Sequence, residues 1–349
     1  MGDGRTLARS AGLAALAVVA LAPRAGAELE GAATLLQPAG TLLMPFDNTA
    51  NHASFQIVTR VGGGTGPIAT HWSYWAEDCR HLVDVFVCLT PQDTKVMDPT
   101  RVQGETQAPN PPVNTGVGSV TDLTGERGLL TVTAFAASTG SSGLACDVVD
   151  AEAVLFGELV GGWVIANTAT SAAFGADAIG LQPDALPEPS LYVVQGGLHI
   201  QTFNPQSLGD SEVIVLTAEV PAGNGVFSDV EIGPIQRDRP DGWHVCCDVT
   251  FTDNLEVTTS LPDLCMECAG FHPISDLQAE AGEASLIPPN TTIDSPGFLR
   301  LRNCESANGD GQADELGADF EQFLFGIHGQ AIGPFGAAIH AKYTGLGDL

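Results

Sequence analysis

Val83-Asp84-Val85-Phe86-Val87-Cys88-Leu89 alternates along its length, and Leu255-Glu256-Val257-Thr258-Thr259-Ser260-Leu261 alternates in the same way much farther on. In the first stretch Val83, Val85, Val87 and Leu89 share one face, with Asp84, Phe86 and Cys88 on the other. In the second, Leu255, Val257, Thr259 and Leu261 share a face opposite Glu256, Thr258 and Ser260. A period of two with one apolar face is the pattern of a half-buried strand. A slip of one residue would turn that face to water, so the register is strongly specified.

Working outward, each stretch follows a second strand-like run, Ile68–Trp75 and Trp243–Phe251, so both read as hairpins, with turns at 77–81 and 252–254. Gly128-Leu129-Leu130 is echoed by Gly297-Phe298-Leu299, and Leu155-Phe156-Gly157 by Leu324-Phe325-Gly326. Both echoes are displaced by 169 residues (297 less 128, 324 less 155). Leu130 and Val132 are expected to point inward with Leu299 and Leu301, and Thr131 and Thr133 outward with Arg300 and Arg302. Pro45-Phe46-Asp47-Asn48 resembles Thr202-Phe203-Asn204-Pro205 more weakly. Apolar runs are short and rich in Val, Ile and Leu, Gly and Pro are abundant, and no segment sustains a helical period. The reading is all-β: two tandem, internally duplicated β-sandwich domains of immunoglobulin-like type, at 28–185 and 186–349. Pro183, Pro187 and Pro189 mark the boundary, since proline denies a strand its ladder hydrogen bond. The proline-rich 108–113 and the Gly- and Pro-rich 221–240 read as loops.

The N-terminus reads as an export signal over residues 1–27. Arg5 and Arg9 precede the small apolar run from Ala11 to Leu21, and Ala25-Gly26-Ala27 supplies a cleavage site, so the mature chain begins near Glu28. That run is too short to remain as a transmembrane anchor, which needs ~20 apolar residues. The expected destinations are the periplasm, the cell surface or the extracellular space. The formal net charge is −29, and Lys95 and Lys342 are the only lysines. A surface so acidic repels nucleic acid and anionic lipid and can recruit cations, and its plain reading is a solvated acidic face. The partner is open, with a protein or carbohydrate ligand as the candidate classes.

The cysteines are Cys79, Cys88, Cys146, Cys246, Cys247, Cys265, Cys268 and Cys304. An even count in an exported chain points to disulfides. Three precede residue 190 and five follow it, so full pairing requires at least one bridge between the halves. A local Cys79–Cys88 bridge across the first hairpin is expected. Cys265-Met266-Glu267-Cys268, with His272 and Cys246-Cys247, has zinc-ligand spacing, but export favours disulfides.

Cys79-Arg80-His81-Leu82-Val83-Asp84, Val87 through Thr94 and Asp98-Pro99, with the Gly128 and Leu155-Phe156-Gly157 segments, resemble a set of exported bacterial proteins of unknown function. That resemblance implies export and β structure, and no activity, substrate or cofactor comes with it.

The nearest approach to a metal site is Ser306 through Glu315. Asn308 and Asp310 fit alternate oxygen-donor positions of a calcium loop, Gly311 its turn, Gln312 a carbonyl position and Asp314 the ninth. Ser306 stands where an Asp belongs and Gly317 where a bidentate Glu belongs, a gap that Glu315 or Glu305 would have to fill. The candidate calcium ligands are therefore Asn308, Asp310, Gln312, Asp314 and Glu315, and the plain alternative is an acidic surface loop. Trp72, Tyr74 and Trp75 crowd one strand, and core packing is the expected role of most of them. The first hairpin leaves room for His71 and His81 to lie near each other, without the partners of a ligand set. Ser138–Ser142 lacks a nucleophile elbow, and Gly62-Gly63-Gly64 lacks the Lys-Ser or Lys-Thr of a phosphate loop. No catalytic constellation stands out. The expected function is an exported, non-enzymatic structural or binding protein, and the competing class is a secreted hydrolase acting on polysaccharide through paired carboxylates.

Overall fold

Alternating β-branched and aromatic residues favour pleated, half-buried backbone, and strand is what they form here. A computed structural model describes residues 33–34, 38–62, 64–106, 118–140, 146–153, 157–169, 171–181, 198–202, 211–221, 244–253, 256, 258–273, 297–307, 320–332, 335–340 and 344–346. Among them there is no α-helix, only one 3-10 turn at Pro99–Arg101.

In chain order the first half contains β1 (Ala33–Thr34), β2 (Thr41–Asp47), β3 (His52–Arg60), β4 (Ile68–Ala76), β5 (His81–Leu89), β6 (Thr94–Met97), β7 (Val102–Gln103), β8 (Val120–Thr121), β9 (Arg127–Thr139), β10 (Cys146–Ala153), β11 (Leu159–Asn167), β12 (Ala172–Asp177) and β13 (Ile179–Leu181). The second half contains β14 (Leu198–Thr202), β15 (Ser211–Pro221), β16 (His244–Asp253), β17 (Thr258–Met266), β18 (Ala269–Pro273), β19 (Gly297–Ala307), β20 (Phe320–Ile332), β21 (Phe335–His340) and β22 (Thr344–Leu346). Both expected hairpins are present, as β4–β5 and β16–β17.

Among the described residues strand pairing is antiparallel and stays within each half. The first half has one sheet ordered β1-β13-β2-β9-β4-β5, with β10 also on β9, a second ordered β12-β11-β3-β6, and the short β7-β8 ribbon. The second half has sheets ordered β14-β19-β16-β17 and β18-β15-β20-β21, with β22 also on β20. Laid side by side, the sheets agree strand for strand: β2-β9-β4-β5 corresponds to β14-β19-β16-β17, and β6-β3-β11-β12 to β18-β15-β20-β21.

Register carries the correspondence to single residues in the hairpin sheets. Ala76 pairs with Gly128 and Asp253 with Gly297. Tyr74 and Phe251 pair with Leu130 and Leu299, and Trp72 and Val249 with Val132 and Leu301. All eight of those last side chains are buried. Gly128 and Gly297 thus hold like places in the two ladders. The Val83–Leu255 match does not hold residue for residue. Val83 lies opposite Tyr74, but the residue opposite Phe251 is Thr259, and Val85 corresponds to Leu261. Leu255 itself lies outside the described residues. The shift is even, and a pattern of period two looks identical after an even shift. Of the Leu-Phe-Gly echoes, Gly157 stands in the turn before β11, whereas Gly326 lies within β20.

Gly128 is required by close approach. A Cβ there would run into the Trp75 carbonyl oxygen and the Ala76 backbone, neither of which can swing away. Gly128→Ala is expected to cost about 1–3 kcal/mol, read as a lower urea midpoint at unchanged slope. Gly66→Ala, where a Cβ meets nothing, is the matched control and should stay within about 0.5 kcal/mol.

The main core lies between the first half's two large sheets. Leu42, Met44 and Phe46 of β2, Trp72 and Tyr74 of β4, Val83 through Leu89 in alternation on β5, Val58 of β3 and Trp163 and Ile165 of β11 form one buried cluster. The Tyr74 hydroxyl donates to Gln56 Oε1 across the two sheets at 3.4 Å, and its ring meets Phe46 edge-on at 5.3 Å. Burial, added to by the charge of Asp98, raises the Tyr74 phenol well above its ordinary pKa. Ile214, Leu216, Ala269 and Phe271 of the second half belong to this same cluster.

The expected solvent face of β5 is instead covered. Asp84, Phe86 and Cys88 are all buried. Ala69, Phe86, Cys88, Phe135, Cys146 and Val148 make a second apolar cluster on that side. Residues 105–106 cap the free edge: Glu105 N–H donates to Phe86 O at 2.8 Å, and Cys88 N–H donates to Glu105 Oε2 at 3.1 Å. Thr131 and Thr133, expected outward, are buried there too, while Arg302 is exposed as expected. A sheet covered on both sides has no solvent face for alternation to mark.

Candidate functional site

The disulfides correct the expected Cys79–Cys88 pairing. Cys88 of β5 is bonded to Cys146 of β10, Cys246 to Cys265 across the β16–β17 pair, and Cys79 to Cys268. The Asp84–Cys88 face turns toward β10, whereas Cys79 sits in the turn with φ 59° and looks toward the second half. Cys79–Cys268 is the bridge between halves that uneven cysteine numbers required. Cys247 is disulfide-bonded as well. With Cys246, Cys247, Cys265 and Cys268 all oxidised, the zinc reading loses its thiolates. Among the described residues no helix is long and apolar enough to cross a membrane.

Around Cys79–Cys268 the halves are stitched further. Cys268 and Ala269 N–H donate to Glu77 O at 3.0 and 3.4 Å, and the Arg127 guanidinium lies over the Phe271 ring at 5.2 Å. Arg127 Nε also pairs with Glu77 Oε2 at 2.5 Å.

The densest set of ionisable groups lies on the covered face of β4–β5. Ser73 is directly opposite Asp84, and His71 opposite Phe86. The His71 and His81 Nε2 atoms lie 3.4 and 2.8 Å from the same Asp84 oxygen. In a regular strand residues 81 and 84 would point to opposite faces. A bulge between the Tyr74–Val83 and Trp75–His81 pairs absorbs Leu82 and turns His81 onto the Asp84 side. The His71 ring stacks on Phe86 at 4.5 Å and meets Phe135 edge-on at 6.0 Å, and Trp75 packs against His81 at 4.7 Å. Burial by itself raises the Asp84 pKa. Hydrogen bonds from His71 and His81, the charge of His71 and a hydrogen bond from Ser73 outweigh it and hold the carboxyl well below its ordinary value.

Ser, His and Asp meet here, yet their order is not that of a nucleophile triad. The carboxylate is the hub and takes the Ser73 hydrogen bond itself, where in a triad an imidazole would take it. His71 and Asp84 are 3% and 5% exposed, beyond reach of a polymeric substrate. The chemistry supported is a charged lock on the hairpin. Proximity of His71 and His81 was legible in the sequence, but Asp84 as hub was missed. An acid in the middle of an apolar strand was the available signal.

The other sequence candidates separate cleanly. Trp72 and Tyr74 are core, as expected, and Trp75 is half-buried on the opposite face. Gly62 and Gly64 sit against Glu158 and Arg60, whose Nε–Oε2 pair is 2.7 Å long, and Arg60 also donates to Gly66 O. Gly62 and Gly64 thus leave room for an ion pair whose Arg60 is buried and whose Glu158 is half-buried. Asn308, Asp310, Gln312, Asp314 and Glu315 lie outside the described residues.

Where ionisable groups are sealed, apolar ones are open. Phe55, Ile57 and Val96 are 40%, 36% and 62% exposed. Ile57 pairs with Val96, and Phe55 with Val164 of β11, so they share one face of the β12-β11-β3-β6 sheet. Gln56 and Val58, on either side of Ile57 in sequence, are buried. No protein-family model, no curated protein and no solved structure matches the chain.

Proposed function

We propose that this is an exported, non-enzymatic structural or binding protein of the cell surface or extracellular space, built from two tandem copies of one immunoglobulin-like β-sandwich over 28–185 and 186–349. The matching strand orders support duplication. The oxidised cysteines fit an oxidising compartment, and the covalent seam makes the halves a stiff unit. One observation carries the functional reading. The ionisable cluster of His71, Asp84 and His81 is turned inward, while Phe55, Ile57 and Val96 are offered to water on one strand face. A contiguous apolar patch on a folded surface marks an interaction site.

Fractionation of cells expressing the full chain tests this. The expected result is a chain beginning near Glu28, on the surface or in the medium, whose thiols react with maleimide only after reduction. A Phe55→Ser/Ile57→Thr/Val96→Thr variant is exported equally but retained on the surface at least tenfold less. Retention in the cytosol with the leader attached, or unchanged surface retention of the variant, overturns the proposal.

A further inference from the structure

Among the three bridges placed above, Cys246–Cys265 is the one that meets water. Cys79, Cys268, Cys88 and Cys146 are all buried, and so is the bonded Cys247. Cys265 is exposed and Cys246 half-buried. Alternation along β17 accounts for this. Leu264 and Met266 are buried on one side of the strand, which leaves Asp263, Cys265 and Glu267 on the other. The matching place in the first half is sealed. Tyr74 and Phe251 lie level in the two ladders, and five residues before them stand Ala69 and Cys246. Cys88 is opposite Ala69 as Cys265 is opposite Cys246. Cys88, however, lies under the second apolar cluster and bonds to Cys146 of β10.

Thiol–disulfide exchange needs a line of approach to a sulfur, so access decides which bridge reacts first. A buried bridge must wait for local opening. The exposed one reacts without unfolding. β16 stays laddered on both sides at this level, with Val245 opposite Met266 on β17 and Ser306 on β19, and Cys247 opposite Leu264. Past Met266 the chain is pinned as well. Thr217 Oγ1 donates to Glu267 O at 2.7 Å, and Cys268 is bonded to Cys79. The sulfurs of Cys246 and Cys265 therefore stay neighbours after cleavage, and re-closure is an intramolecular step.

We infer that Cys265 is a covalent attachment site for small thiols of neutral or positive charge, through exchange on the Cys246–Cys265 bond. The incoming thiolate bonds to Cys265 Sγ. The bond between the two cysteines breaks, and its electron pair leaves on Cys246 Sγ, which takes a proton from water. The thiol and Cys265 then share a mixed disulfide, so the step needs no other oxidant. Attack by Cys246 on Cys265 expels the thiol and restores the bridge. Cys265 is the sulfur attacked because it is the exposed one of the pair. Charge selects the thiol. Asp263 and Glu267 flank Cys265 on its own face, exposed Asp248 lies on β16, and the chain as a whole carries −29. Arg302, opposite Asp248, is the exposed cation on this sheet. Net negative potential repels an anionic attacker and spares a neutral or cationic one.

The test exposes the oxidised full chain to cysteamine, which carries an amine, or to glutathione, which carries two carboxylates. Each rate is taken relative to that thiol's rate on a small uncharged disulfide. Acid quenching, alkylation and peptide mass mapping then locate adducts and freed thiols. Cys246–Cys265 should open roughly tenfold or more faster than Cys79–Cys268 and Cys88–Cys146, with unchanged circular dichroism and the cysteamine adduct on Cys265. Cysteamine should outpace glutathione about threefold or more at low salt, and the gap should close at about 0.5 M salt. Asp263→Asn should narrow that gap at low salt. Opening of all bridges at one rate, an adduct chiefly on Cys246, or glutathione as fast as cysteamine at low salt overturns the inference.

Discussion

Replacing the seam disulfide by the Cys79→Ser/Cys268→Ser pair should lower the free energy of unfolding by about 4–5 kcal/mol, the larger of the two largest effects expected in this protein. The bridge closes a loop with a sequence separation of 189 residues. Chain entropy released in the unfolded state grows with the logarithm of loop length, so so long a closure lies at the upper end of the usual range. The Cys88–Cys146 and Cys246–Cys265 bridges lie inside that loop and shorten its effective length, which keeps the figure from rising higher. Urea unfolding should show a large fall in midpoint with a raised slope, because the unfolded chain becomes more expanded. The Cys246→Ser/Cys265→Ser pair, with a separation of only 19, is the contrasting case and should cost about 3 kcal/mol. An equal loss in the two variants would mean that the long closure contributes nothing of its own.

Asp84→Ala should cost about 3–5 kcal/mol at pH 5, because it strands two imidazoles and a hydroxyl around a buried gap. Its pH dependence is the sharper test. Asp84 has a folded-state pKa held below its ordinary value of 3.8. Between the folded and unfolded values the unfolded chain binds a proton that the folded chain does not, so stability rises with pH across that window. The Asp84 contribution is therefore fully present above the ordinary carboxylate range. It is lost as pH falls toward the folded value, at up to about 1.4 kcal/mol per pH unit. Measured from pH 5 down to pH 3, the gap in unfolding free energy between wild type and Asp84→Asn should narrow. A gap that stays constant or widens would show that the carboxylate is not held ionised by its histidines.

Much of the architecture was legible from residue order. Alternation in Val83–Leu89 placed a strand, Ile68–Trp75 placed its partner, and Gly128 and Gly297 each lie at the start of a strand. The uneven cysteine distribution demanded a bridge between halves, and Cys79–Cys268 is one. Other features were not legible, each for a definable reason. A two-residue period is blind to an even register shift, so it aligns Val83 with Leu255, whereas the ladders set Val83 opposite Tyr74 and Thr259 opposite Phe251. A bulge leaves no trace in composition, so the turning of His81 toward Asp84 was hidden. Cysteine partners depend on which way a turn faces, and Cys79 faces the other half of the chain rather than Cys88.

What residue order determined by itself was secondary structure, because strand formation depends on local backbone sterics and on which side chains alternate. Tertiary structure alone decided which sheet faces meet each other and which meet water. Asp84 and Phe86 alternate as a solvent face would, yet they are sealed, while Phe55 and Ile57 alternate as a core face would, yet they are open. Burial is a property of what packs on a face from far along the chain, and no window of neighbouring residues contains that information.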